Sequence, residues 1–118
     1  MKRGNPQVRT IMSVLEERYD VSSVDPKQKT QDWKKTRNYL YHATRDDDTF
    51  APQAIRVLDF LDQNLELPQH VVRRVLQESP RILRKPVDSF LIPTSDFLLQ
   101  LWGRDLFVQA VERNPALL

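Results

Sequence analysis

Two groups of basic residues are the positions in this sequence where type and spacing could do chemistry. Arg73, Arg74, Arg81, Arg84 and Lys85 fall between residues 71 and 85, where Glu78 is the one acid. Lys34, Lys35 and Arg37 form the second group, with Tyr41 near. Their chemistry is electrostatic. Lysine and arginine neutralise phosphates and release counterions, which makes binding to nucleic acid salt-dependent. Tyr41 or Trp33 could stack on a base, although the helical spacing of Trp33 and Leu40 is the commoner pattern of a core. The charge is unevenly spread. Residues 1–45 carry ten Lys/Arg against five Asp/Glu, and residues 46–118 carry eight against eleven, within a net charge of +2. Such asymmetry suits a polyanionic partner, and a solvated face would give the same count.

Other chemistries find little support. His42 and His70 lack metal-ligand spacing. Asp46, Asp47 and Asp48 could hold a hard cation, but the run reads as a loop that supplies helix caps. The sequence contains no cysteine, which excludes a disulfide scaffold and a thiolate zinc site and suits a reducing compartment. Gly4 and Gly103 are too few for a phosphate-cradling loop, and no Gly-x-Ser-x-Gly elbow is present. No catalytic residue, metal site or cofactor is expected, and the chain does not read as an enzyme. No apolar run is long enough for a membrane span. Glu16 and Glu17 interrupt what a transit peptide would keep free of acids, and no secretory signal is visible.

The basic groups need helices to hold them. Asn5-Pro6 reads as a cap and first residue. Val8, Ile11, Met12, Leu15 and Tyr19 then form one apolar stripe, ending near Asp20. Residues 21–31 read as a loop around Pro26. A second helix starts at Thr30 or Gln31 and runs to about Ala43. Trp33, Leu40 and Ala43 lie on one side, and Lys34, Asn38, Tyr41 and Arg45 on another. Pro52 opens a third helix, with Ala54, Val57, Leu58, Leu61 and Leu65 inward. Pro68 opens a fourth, ending at Ser79, with Val71, Val72, Val75 and Leu76 inward and Arg73 and Arg74 outward. Val87, Phe90 and Leu91 read as a short buried segment. Thr94 or Ser95 caps a fifth helix, Asp96 to Trp102, stopped by a left-handed Gly103. Asp105 caps a sixth, running to Asn114. No strand pattern appears.

Residues 72–83 return as residues 107–118. Pro80/Pro115 and Leu83/Leu118 are identical. Apolar meets apolar at 72/107, 75/110, 76/111 and 82/117; polar meets polar at 74/109, 77/112, 78/113 and 79/114. Upstream, Phe60-Leu61-Asp62-Gln63 matches Phe97-Leu98-Leu99-Gln100. Each unit is therefore helix, turn, helix, then a proline hook. A period of this size is the signature of a helical repeat. The residue before proline is pushed out of the α region, so each second helix must stop there, and the following apolar pair can fold back to seal the unit. The basic face does not repeat, because Val108 and Ala116 replace Arg73 and Arg81.

The hook sequence Val75-Leu76-Gln77-Glu78-Ser79-Pro80-Arg81-Ile82-Leu83, with Phe97-Leu98-Leu99-Gln100-Leu101-Trp102-Gly103 and Val111-Glu112-Arg113-Asn114-Pro115-Ala116-Leu117-Leu118, resembles the mitochondrial transcription termination factor (mTERF) family. The resemblance covers residues 54–118, and the first unit departs from it at Asn64-Leu65, where the family has a glycine. It implies an all-α, right-handed superhelical array, each unit two α-helices and a 3₁₀ turn. It implies non-enzymatic binding of double-stranded DNA or RNA in mitochondria or chloroplasts, in transcription termination, RNA processing or ribosome assembly. The expected division is irregular N-terminal helices over 1–53, one repeat over 54–85 and another over 87–118. The flush ending on Leu118 suggests a piece of a longer protein. A rival reading is a helical protein-interaction scaffold, motivated by the acidic balance after residue 45 and by Phe97, Trp102 and Phe107.

Overall fold

The computed structural model of the chain describes residues 6–19, 26–45 and 47–118. The expected cap at Asn5, the helix end at Asp20, loop residues 21–25 and Asp46 lie outside them. The described residues form six α-helices: α1 (Pro6–Tyr19), α2 (Pro26–Ala43), α3 (Phe50–Asp59), α4 (Gln69–Glu78), α5 (Ile92–Trp102) and α6 (Arg104–Arg113). Short turns extend them. A π turn, Phe60–Asn64, continues α3; a 3₁₀ turn, Pro80–Arg84, follows α4; a second π turn, Val87–Leu91, leads into α5. No strand occurs among the described residues.

The helices pack as their apolar stripes require. Val8, Ile11, Met12, Leu15 and Tyr19 of α1 are all buried. So are Ala54, Val57, Leu58, Leu61 and Leu65 of the α3 segment, and Val71, Val72, Val75 and Leu76 of α4. Helix α1 packs on α3, α2 on α4, and α4 on α6. The second helices of successive pairs thus lie side by side. The molecule measures 49 × 33 × 19 Å. Its thinnest dimension is about two helix layers at 8–10 Å between axes.

The two hooks share local geometry. Ser79 (φ −138°, ψ 64°) and Asn114 (φ −130°, ψ 85°) both leave the α region before proline. The Ser79 N–H donates to Val75 O at 2.8 Å, and the Asn114 N–H to Ala110 O at 2.9 Å. Ile82 N–H then reaches Ser79 O at 3.2 Å, and Leu117 N–H reaches Asn114 O at 2.9 Å. These two bonds correspond between the hooks, but the first hook continues as a 3₁₀ helix, with Lys85 N–H donating to Ile82 O at 3.0 Å, whereas the second is a simple turn and not the expected 3₁₀ helix. Pro80, Ile82 and Leu83 are buried, and the 3₁₀ turn packs on α2, α3 and α4. Pro115 and Leu118 are buried and Leu117 half-buried.

Several boundaries differ from the sequence reading. Helix α2 begins at Pro26, not at Thr30 or Gln31. Proline fits a first helical turn, but residues 27–32 are polar and give no periodicity. Helix α3 begins at Phe50, two residues before Pro52. Neither Thr94 nor Ser95 caps α5, because the helical chain already runs from Val87; the buried Ser95 hydroxyl donates to Leu91 O at 2.7 Å instead. Phe90, expected inside, is 40% exposed. Gly103 does take positive φ (81°), but its ψ of 167° is outside the left-handed helical well. That region is essentially restricted to glycine. Gly103, not Asp105, occupies the N-cap of α6.

A polar clamp fastens the end of α1. Arg18 Nη2 donates to Asp59 at 2.7 Å and Nη1 to Asp62 at 3.0 Å. The Tyr19 hydroxyl donates to Asp62 Oδ2 at 2.7 Å. Burial, then the Asp62 carboxylate, pushes the Tyr19 phenol well above its ordinary value of 10, with Arg18 opposing. The raised value means that the fold favours the protonated phenol. Its contribution is complete below about pH 10 and is lost as pH rises beyond it.

Two outcomes follow for stability. Leu83→Ala should cost about 2–5 kcal/mol in urea unfolding; a cost under about 1 kcal/mol would mean the hook does not seal the unit. Urea midpoints followed above about pH 10 should fall, and Tyr19→Phe should make that fall shallower while lowering stability at neutral pH. An equal alkaline slope in both proteins would contradict the clamp.

Candidate nucleic-acid interface

Helix α2 presents its basic residues because its opposite face is anchored. Trp33 and Leu40 are 2% and 0% exposed, and the buried Thr36 hydroxyl donates to Leu76 O of α4 at 2.7 Å. Lys34, Lys35, Arg37, Asn38, Tyr41 and Arg45 are all exposed. Trp33 is therefore a core residue and cannot stack on a base, whereas Tyr41 is 48% exposed. Lys35 reaches the end of α4, donating to Glu78 O at 3.0 Å. A cation there complements the negative end of the helix dipole.

A groove of about 420 Å³ joins the two basic groups. Lys35 and Tyr39 come from α2, Glu78, Ser79, Pro80 and Arg81 from the end of α4 and its hook, and Ala116 from the second hook. The Glu78 carboxylate lies 3.5 Å from Arg74 Nε, one turn back. Arg81 is exposed and makes no ion pair among the described residues. Tyr39 was not singled out from sequence. Its hydroxyl is buried without a hydrogen-bond partner among the described residues, and its ring meets Phe50 edge-on at 6.4 Å. Its place one turn after Lys35 was the available signal.

The remaining basic residues divide. Arg84 is exposed. Asp47 is held below the usual carboxylate range mainly by hydrogen bonds from Thr49, with Arg84 contributing at longer range. Lys85 is turned to internal use: its ammonium donates to Leu118 O and lies 5.0 Å from the centre of the Phe90 ring. Burial, then the charge of Arg81, lowers its pKa. Arg73 does not point outward as expected. It is half-buried, and its Nη1 donates to Tyr19 O at 3.1 Å. The cluster of five is thus not one surface. Arg81 faces the groove with Lys35, Arg73 faces α1, and Arg74 pairs along its own helix.

The other candidates take structural parts. Asp47 accepts from the Thr49 N–H at 2.9 Å and hydroxyl at 2.7 Å, forming the turn before α3. His42 lies 3.4 Å from Arg45, and His70 lies 3.3 Å from Glu112 across α4 and α6. No group of three metal-ligating side chains is found among the described residues, and no helix there is long and apolar enough to cross a membrane. Phe107, one of the three aromatics of the scaffold reading, is wholly buried. Sequence reasoning also missed Arg104, which donates to Leu65 O and Glu66 O at 2.6 Å each. Glu66, next to the Asn64-Leu65 position where the resemblance lacks its glycine, has a positive φ of 51°.

Comparison with protein-family models, curated proteins and solved structures finds no match.

Arg73→Gln should lower stability by about 1–3 kcal/mol, since it removes a charged donor from a partly buried carbonyl. Arg74→Gln, at an exposed helical pair, should cost less than about 0.5 kcal/mol. Denaturant unfolding of both variants checks the division; equal costs would contradict it.

Proposed function

We propose that the chain is a nucleic-acid-binding helical repeat module of the mitochondrial transcription termination factor type. It binds the phosphate backbone of double-stranded DNA or RNA. The observation that carries the reading is the groove where Lys35 of α2 meets Arg81 of the first hook. Lys34, Arg37 and Arg84 are exposed as well and add positive charge to the surface outside the groove. The matched hook geometries and the packing of α2, α4 and α6 support a superhelical array of such units. By the family resemblance, the module serves transcription termination or RNA processing in a mitochondrion or chloroplast. Tyr41 is the residue able to stack on an exposed base.

A second reading is a helical interaction scaffold without nucleic-acid contact. Its support is the exposure of Phe97, Leu101 and Leu106. Recovery of a protein partner through nuclease treatment and high salt, with no binding to nucleic acid, would favour it.

Fluorescence anisotropy with duplex DNA and RNA at several salt concentrations tests the first reading. Four or five phosphate contacts give a log–log salt slope of about −4. Lys35→Gln combined with Arg81→Gln should weaken binding about tenfold, the equivalent of about 1.4 kcal/mol. The loss should be alike for all sequences, because phosphate contacts carry no sequence information. No binding at low salt, or a slope near zero, would overturn it.

A further inference from the structure

The two ends of the helix stack differ. At the α1–α2 end the exposed residues include Arg9, Thr10, Ser13, Glu16 and Glu17 on α1 and Lys34, Lys35, Arg37, Asn38, Tyr41 and His42 on α2. This surface is mainly polar, Tyr41 apart. The α5–α6 end is apolar: Phe97 is 63% exposed, Leu101 60% and Leu106 55%. The counterparts of Phe97 and Leu106 in the first unit are covered, while that of Leu101, Asn64, is exposed and polar. Phe60, which matches Phe97, is 4% exposed, and Val71, which matches Leu106, is 0% exposed with α6 packed on α4. A position built for helix packing is occupied in one unit and open in the next. Exposed apolar surface of this kind marks an interaction site.

Charge identifies the occupant. A groove of about 220 Å³ runs between α5 and α6, lined by Trp102, Leu106, Gln109, Ala110 and Arg113. Leu106, Gln109, Ala110 and Arg113 recur at i, i+3, i+4 and i+7, so they share one face of α6. Asp105 lies beside that face near the start of α6, and Arg113 ends it. Neither has an ion pair among the described residues. Arg104, the basic neighbour of Asp105, is committed to the Leu65 and Glu66 carbonyls.

We propose that the chain forms a twofold dimer through this face, the two copies of α6 antiparallel about Gln109 and Ala110. A twofold interface presents one patch to itself, so any contact is made twice. The antiparallel arrangement sets Asp105 of each copy beside Arg113 of the other. A parallel arrangement would set like charge on like. The opposed helix dipoles favour the same choice. Ala110, small and central, lets the axes come close, and Leu106 and Trp102 of each copy enter the groove of the other. The dimer is independent of nucleic-acid binding and stands or falls separately from it.

Sedimentation velocity of the intact chain from about 1 to about 100 µM tests it by mass action. The expected result is a species of twice the 13.9 kDa chain mass that dissociates on dilution. Leu106→Glu should leave a monomer. Asp105→Arg and Arg113→Asp should each weaken the dimer about tenfold, and the double variant should recover to within about threefold of the original. The altered side chains are exposed in the monomer, and unchanged circular dichroism confirms that the variants are folded. A monomer throughout overturns the proposal, even if that monomer captures some other helical protein. So does a dimer indifferent to Leu106→Glu, or a double variant weaker than either single one.

Discussion

A proline placed one residue beyond a helix end is the constraint on which the rest of this structure depends. Its ring disfavours the α conformation in the residue before it; Ile92 keeps that conformation before Pro93 inside a continuing helix, whereas Ser79 and Asn114 leave it. Ser79 and Asn114 accordingly turn to nearly the same extended angles. The chain leaves α4 and bends back, which delivers Ile82 and Leu83 to a position between α2, α3 and α4. Helices of about ten residues hold little structure alone in water. The hook supplies what they lack, an apolar cover at the open end of the pair. It also sets Arg81 on the rim, next to Lys35. The same bend that closes the core thus creates the basic groove.

Charge on this chain serves two purposes, and the fold decides between them. A guanidinium that reaches a backbone carbonyl of another element is a structural donor. Arg73 on Tyr19 O and Arg104 on Leu65 O and Glu66 O are of this kind. So is Lys85, which joins the two hooks through Leu118. Arg81, Lys34, Arg37 and Arg84 remain on the surface. A count of basic residues in sequence overstates the positive surface by those already engaged.

Much of the fold was legible because burial follows period. The stripes on α1, α3 and α4 could be read directly, and every residue assigned inward on them is buried. The turn after each of α4 and α6 was legible from Pro80 and Pro115. The start of α2 was not, since its first residues carry no apolar stripe to report a helix. The start of α5 was hidden by Pro93, which reads as a break but sits in the first turn of a helix already under way. Phe107 and Phe97 illustrate what single-sequence reading cannot weigh. Both are phenylalanines in a repeat unit, yet one is buried and the other exposed, because burial depends on which neighbour lies alongside. Likewise Arg73 and Arg74 are adjacent, and only tertiary packing separates the clamp from the surface pair.

The central claim is that apolar hooks lock successive helix pairs to one another. Nuclear Overhauser contacts of the Ile82 and Leu83 methyl groups measure this most directly. The account predicts cross-peaks to side chains of both α2 and α3, with ring-shifted, well-dispersed methyl resonances. Contacts confined to α4, with methyl shifts of unstructured chain, would contradict it.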